Sequence, residues 1–420
     1  MKLCMISLGC DKSLVDSEMM LGQLAEQNYE FIDDEEAADV IIVNTCCFIL
    51  DAKQESIDTL LRVSEYKHSG CLKKLIVTGC LAERYKDEII EEIPEVDEVI
   101  GIFELEERLK AKPPKTRFVS TGGWYGYLKI ADGCNKRCTY CIIPYLRGNY
   151  RSYPMENLLD QAKQLAEAGV KELIIVAQDT TVYGTDLYGK KMLPELLKKL
   201  CLIEGLEWIR ILYAYPEDID DELISVMAEE PKICHYIDMP IQHASDNILR
   251  RMGRRTSKAD IINKVEKLRN AIPDIVIRTT LISGFPGETE EDHEELYEFV
   301  NEMEFDRLGV FCYSQEEGTP AAEFENQVPE ETKERRRDEI MSLQQEISSD
   351  CLADMQGKCV DAIIDGYIPE DKICVGRTYM DAPDVDGYVF IKTKKRHDSG
   401  TIIKVRITGS NEYDLIGEEI

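Results

Sequence analysis

The stretch GYLKIADGCNKRCTYCIIP, residues 126–144, decides how this chain is read. A short apolar strand runs directly into three cysteines, Cys134, Cys138 and Cys141, within eight residues. Thiolates spaced Cys-x3-Cys-x2-Cys can hold three irons of a four-iron cluster. The fourth iron then stays open to a second ligand, such as the amino and carboxylate groups of an amino acid. A structural zinc site is the competing reading. Such sites are closed by four ligands. No fourth cysteine or histidine stands nearby in the sequence, so the spacing favours the cluster.

Outward from this stretch, strand and helix patterns alternate about six times. Strands are expected near Tyr127, Leu173, Trp208, Tyr236, Ile275 and Arg307, with helices over 154–168 and 257–271. Six such units predict an α/β fold, a partial or complete parallel (βα)6 barrel with its chemistry at the carboxyl ends of the strands. Gln178 and Asp179 end the second strand, Gln242 and His243 follow the fourth, and Arg278 and Gly284 flank the fifth. A bound cofactor's polar groups would be met there, although ordinary satisfied polar residues read equally well. Residues 329–352 predict one long charged helix with Ile340, Leu343 and Ile347 on its apolar side. Short β segments at 359–364, 388–391 and 401–407 then predict a small all-β barrel of about 65 residues.

The first 112 residues alternate in the same way, with strands at 2–8, 40–43 and 74–78 and helices at 14–25 and 52–66. Pro113 and Pro114 end this parallel α/β domain. The expected division is therefore 1–115, 120–352 and 353–420. Cys10, Cys46 and Cys80 each follow a strand, at intervals of 36 and 34 residues, about one βαβ unit. Carboxyl ends of parallel strands line one sheet edge, so the three thiols should converge. Three small buried turn residues would give the same pattern. Cys46 and Cys47 should face opposite sides, and the pattern does not choose between them. Ser13 and Asp16 are spaced as a capping box for the helix after Cys10. Cys4, Cys71, Cys201, Cys234, Cys312, Cys351, Cys359 and Cys374 have no constellation and read as packing.

The chain has 420 residues, 15 cysteines and a net charge of −31. The length suggests two or three domains. So acidic a surface repels phosphate backbones and attracts basic partners. No small-residue cleavage site follows the apolar start, and the longest apolar stretch, 41–50, is far too short to span a membrane. The expected compartment is the reducing cytoplasm, where clustered cysteines bind metal or act in catalysis. His68, His293 and His397 read as surface residues, while His235 and His243 remain open as ligands. The segment SGFPGE, residues 283–288, lacks the lysine and glycine spacing of a phosphate loop.

The run GCNKRCTYCIIP resembles the radical S-adenosylmethionine (SAM) enzymes, with Tyr140 as the aromatic residue before the third cysteine. In that superfamily the open iron chelates SAM, which is cleaved to a 5′-deoxyadenosyl radical. Over essentially the full chain the pattern is similar to the methylthiotransferases. That resemblance implies a second [4Fe-4S] cluster in the amino-terminal domain, favours Cys46 over Cys47 as its ligand, and implies a carboxyl-terminal domain of the TRAM type. It implies SAM both as radical source and as methyl donor, with a low-potential electron donor and a sulfur donor as partners. One branch of the family modifies a transfer RNA adenosine. The other modifies an aspartate of small-subunit ribosomal protein twelve. SLGCDKSLVDSE (7–18), YIDMPIQHASDNILRRMGRR (236–255), TTLISGFPGETEEDHEELYEFV (279–300) and FDRLGVFCYSQEEGTPAA (305–322) resemble the second. Asp11 and Ser13 depart from the proline and asparagine usual there, and Cys47 from glycine.

Charge points the same way. Residues 354–420 carry 13 acidic and 9 basic side chains, a net of −4, whereas a domain docking on RNA should be basic. The exception, residues 392–396 with four basic residues in five, reads as a solvated turn. Transfer RNA is therefore not the expected partner. A non-catalytic iron–sulfur electron carrier and a zinc-stabilised RNA-binding module are the readings of another class.

Overall fold

The computed structural model describes residues 1–27, 29–68, 70 and 72–420. Cys71, expected to be a packing residue, lies outside the described residues. The amino-terminal region is a parallel sheet of β1 (Lys2–Ser7), β2 (Glu30–Phe31), β3 (Val40–Thr45), β4 (Lys74–Gly79) and β5 (Glu98–Ile100), in the order β2-β1-β3-β4-β5. Helices α1 (Asp11–Ala25), α2 (Leu50–His68), α3 (Cys80–Arg84), α4 (Lys86–Glu92) and α5 (Ile102–Ala111) join its strands or follow the last of them. β3 reads VIIVNT and is buried throughout, as a central strand covered on both faces must be. The edge strands β2 and β5 were not expected. With two and three residues they are too short to carry a periodic signal.

The middle region holds β6 (Tyr125–Lys129), a hairpin of β7 (Ala131–Asp132) with β8 (Arg151–Ser152), then β9 (Glu172–Val176), β10 (Trp208–Ile211), β11 (Ile233–Asp238), β12 (Val276–Ser283) and β13 (Arg307–Cys312). The six long strands form one parallel sheet in the order β13-β12-β11-β10-β9-β6. β6 and β13 are its two edges and do not pair with each other, so this is the partial barrel. Alternation sorts the side chains of each strand. Leu128, Leu173, Ile175, Ile209 and Ile277 point outward into the helix-covered core. Tyr127, Ile174, Val176, Tyr236 and Val276 point inward and share a second apolar cluster with the carboxyl-terminal domain and with Val15 of α1.

The long helix spans Glu330–Ala353, with Ile340, Leu343 and Ile347 buried. The last domain is a closed barrel of β14 (Cys359–Ile368), β15 (Ile373–Thr378), β16 (Val389–Lys392), β17 (Ile402–Ser410) and β18 (Leu415–Glu419), in the order β14-β15-β16-β18-β17. β15 and β18 were not expected, because Gly376 and Gly417 interrupt their apolar alternation. Buried ion pairs fasten this barrel to the amino-terminal ends of the middle strands. Glu172 at the start of β9 lies between Arg210 at 2.7 Å and Arg377 at 2.6 Å. Arg307 at the start of β13 pairs with Asp381 at 2.7 Å. Removing one member of such a buried pair strands the other charge, at about 3–5 kcal/mol.

Two histidines expected at the surface are not there. His293 is buried with Nε2 2.7 Å from Glu339, and the His397 side chain is largely covered beside Glu419 at 3.0 Å. Each sits in a charged segment, but a carboxylate from a distant segment draws its ring inward. His68 is exposed, as expected. No helix among the described residues is long and apolar enough to cross a membrane.

Candidate metal centres

β1, β3 and β4 are neighbours in the sheet, and each delivers one cysteine to the same edge. Cys10 occupies the N-cap position of α1, Cys46 follows β3, and Cys80 is the first residue of α3. The thiols are close enough to interact electrostatically. Burial is the main cause that raises the Cys80 pKa, with Cys10, Cys46 and Cys47 adding to it. Gly79 makes the sharp turn before Cys80. Its φ is +95°, and a Cβ there would lie 2.3 Å from Asn44 Oδ1. Only glycine accepts that conformation at low cost.

The adjacent pair lies just past the end of β3 and divides by burial. Cys47 is 0% exposed among Leu81, Ala82, Ile142 and Leu146, and burial pushes its thiol up to about 12 against the opposing Arg84. Cys46 is half-buried and interacts with Cys10 and Arg147. Burial raises its pKa too, while the backbone N–H groups of Phe48 and Cys47 favour the thiolate.

The second triad lies between β7 and the short helix α6 (Ile143–Leu146). Its loop is pinned from both sides. Thr139 donates its N–H to Met252 O at 2.9 Å and its hydroxyl to Arg251 O at 2.8 Å. The Cys134 N–H reaches Gly148 O at 3.1 Å. Burial pushes the Cys134 thiol up to about 11, and the Lys136 N–H, 3.5 Å from the sulfur, opposes it. Burial and the neighbouring Cys138 raise the Cys141 pKa well above its ordinary value. A metal loaded here displaces thiol protons, so loading is coupled to pH. Around the triad stand Lys136, Tyr140, Tyr215 and Arg254, which are cations and phenols rather than a fourth soft ligand.

Among the described residues no three His, Cys, Asp or Glu side chains are grouped tightly enough to hold a single metal ion. A mononuclear zinc needs all its donors about 2.3 Å from one centre. A four-iron cluster takes one thiolate per iron and spreads the sulfurs further apart. Each triad offers three thiols with backbone N–H groups aimed at sulfur, the donor type that such a cluster takes.

The two triads border one seam between domains. Ile142 and Leu146, just after Cys141, belong to the amino-terminal domain's own apolar core. Arg147 follows, 1% exposed, and donates to Asp132 at 2.9 and 3.1 Å, to Asp16 at 3.3 Å and to Ser13 Oγ at 3.1 Å. Lys129 joins Asp16 and Asp132 from β6. Asp132 is held well below the usual carboxylate range by Arg147 and Lys129, which overcome its burial. Lys12 of α1 lies 3.3 Å over the ring of Tyr213, and the Tyr213 hydroxyl donates to Asp11 at 3.3 Å. The capping box expected at Ser13 and Asp16 does not form. Both side chains turn to cations of the middle domain, and the Cys10 side chain makes no cap hydrogen bond.

Of the other expected site residues, Gln178 donates to Asp132 at 3.1 Å, and its Oε1 is buried without a partner. Tyr140 packs edge-on against Phe285. Gln242 sits at φ +73° and bridges to β12 at Leu281. Asp179 is buried beside Lys136 at 3.5 Å, and burial raises its pKa to about 6 despite that cation. Arg278 does not flank β12. It lies inside the strand's first half, paired with Asp238 at 2.8 Å and facing Asp386 of the β domain at 3.5 Å, because the concave face there is closed by that domain. The N–H groups of Gly284 and Phe285 are already taken by Glu288 Oε2, at 2.7 and 3.0 Å, which leaves no phosphate cradle. His243 is fully buried with Nδ1 accepting from the Ser245 N–H, and His235 pairs with Asp274 in the foot of the barrel; neither meets a triad. The residues missed from sequence are Lys12, Lys129, Asp132 and Arg147. Charged residues inside apolar runs, such as Arg147 in IIPYLRG, were the available signal.

Comparisons with known proteins agree with this architecture. Residues 128–300 match the Radical SAM superfamily, 2–101 the uncharacterized protein family UPF0004, and 357–420 the TRAM domain. The chain is 56% identical to the ribosomal protein uS12 methylthiotransferase RimO of Lachnoclostridium phytofermentans, over 99% of both chains. It is 49% identical to the proteins of that name from Clostridioides difficile and Acetivibrio thermocellus, over 100% of this chain and 98% of theirs. Among solved structures, the radical SAM methyltransferase TsrM from Kitasatospora setae, with cobalamin and a [4Fe-4S] cluster bound, aligns over 76% of each chain at a TM-score of 0.55 and 13% identity. The cobalamin-dependent enzyme OxsB aligns over 82% of this chain and 56% of its own at 0.51 and 14%. At these identities both show the fold alone. With relatives this similar along its whole length, the chain belongs to the RimO family of radical SAM, iron–sulfur methylthiotransferases.

Proposed function

We propose that this protein inserts sulfur and a methyl group at the β-carbon of an aspartate in ribosomal protein uS12, giving 3-methylthioaspartate. The observation that supports the reading is a pair of cysteine triads, one at the carboxyl edge of the amino-terminal parallel sheet and one in the loop whose following residues, Ile142 and Leu146, pack into that domain's core. In this reading Cys134, Cys138 and Cys141 hold the cluster that binds SAM, and Cys10, Cys46 and Cys80 hold a second one. When bound, the clusters supply an electron for SAM cleavage and an open iron for sulfur. Tyr140, Gln178, Gln242 and Gly284 border the SAM site, and the unpartnered Gln178 Oε1 is an acceptor for a donor group of SAM. Arg278 lies deeper and steadies the floor of the cavity through Asp238 and Asp386. The division into 1–115, 120–352 and 353–420 follows the three functions of auxiliary cluster, radical chemistry and substrate docking.

The net charge of −31 suits a basic ribosomal protein. A low-potential electron donor and a sulfur donor complete the set of partners, and the setting is the cytoplasm. The test is a product assay on anaerobically reconstituted protein with SAM, sulfide and reductant. Small ribosomal subunits go in one tube and unmodified transfer RNA in another. Mass spectrometry is expected to find one methylthio group on the uS12 aspartate. A gain on adenosine alone would keep the chemistry and overturn the substrate.

A further inference from the structure

Ser13 stands where its relatives by resemblance carry asparagine, and its surroundings give that serine a definite polarity. Its Oγ lies 3.1 Å from Arg147 Nη2 and 3.8 Å from Cys10 Sγ. A guanidinium can only donate. Ser13 Oγ therefore accepts from Arg147, and once Cys10 is a thiolate, which can only accept, the serine hydroxyl is the donor between the two. Arg147 cannot turn away, since Asp132 and Asp16 hold its other amino group and the chain around it is buried. The guanidinium also interacts with Cys46 and Cys80, so one fixed cation faces all three members of the amino-terminal triad.

We propose that Arg147 and Ser13 act as a positioning relay, in which the cation polarises the serine and the serine donates to the Cys10 sulfur, so raising the reduction potential of the amino-terminal cluster. The proposal rests on the two-cluster reading given above. Hydrogen bonds to cluster sulfurs and nearby positive charge both stabilise the reduced, more anionic state. The relay starts from the residue after α6, a helix that begins two residues past Cys141. The domain that carries out radical chemistry thereby sets the electronics of the site that holds sulfur, across the seam between them.

The test is an anaerobic redox titration of the reconstituted full chain, followed by electron paramagnetic resonance. SAM is added to mark the signal of the cluster that binds it. Ser13→Ala and Arg147→Gln are each expected to disfavour the reduced amino-terminal cluster about tenfold, a shift of about 59 mV to more negative potential. The other cluster should not move. Ser13→Thr should restore the value and Arg147→Lys should restore part of it. Unchanged potential in Ser13→Ala, with about eight irons per chain retained, overturns the relay and leaves the two-cluster reading intact. Wild-type protein that loads only about four irons overturns both. If Arg147→Gln does not fold, Ser13→Ala alone decides, since it removes one hydroxyl at the seam.

Discussion

One triad comes from a single loop, and the other from the ends of three strands. Cys134, Cys138 and Cys141 need only one hairpin exit and a short helix to be placed. Cys10, Cys46 and Cys80 need the whole order β1-β3-β4 to be correct. A site written in one loop survives local adjustment of the fold. A site distributed over a sheet is only as exact as the sheet. The two should therefore fail differently, and four probes test that difference.

The largest effect belongs to the contiguous triad. Cys134→Ala should reduce SAM cleavage to background while about half the iron still loads; cleavage assays and iron analysis read both. Next, Cys46→Ala should leave SAM cleavage intact and stop product formation. Full product from Cys46→Ala, and none from Cys47→Ala, would exchange the two assignments. The third probe uses pH at the loop triad's border. Asp179 carries a pKa of about 6 against an ordinary 3.8, so the folded state holds its proton more tightly than the unfolded state does. Stability from this group is present below pH 4 and lost as pH rises to 6. Relative to Asp179→Asn, wild type should lose about 3 kcal/mol over that window in urea unfolding. The smallest loss falls on the distributed triad. Gly79→Ala should cost about 1–3 kcal/mol and deplete the amino-terminal cluster, with the SAM-binding cluster kept at its full level.

The contrast also governs what could be read from residues alone. The loop triad is legible because its spacing is itself the signal. The strand-end triad was legible one step later, since βαβ length and strand position are periodic properties. Pattern alone leaves Cys46 and Cys47 equal, and what distinguishes them in the fold is burial, with Cys47 inside the amino-terminal apolar core and Cys46 half-buried. Ser13 and Asp16 misled because a capping box and an interdomain bridge look alike in sequence. The deciding partner, Arg147, is 134 residues from Ser13. Pairings at that separation follow no helical or strand period. β15 and β18 escaped for a different reason, as glycine erased the alternation that identifies a half-buried strand.

The β barrel that Glu172, Arg210, Arg377, Arg307 and Asp381 bolt to the foot of the open sheet turns that sheet into a vessel with a floor. Apolar packing from Tyr127, Ile174, Val176 and Tyr236 seals the joint. A reactive species made at the rim has no drain beneath it. Fidelity in such a vessel is then a matter of what is admitted at the mouth.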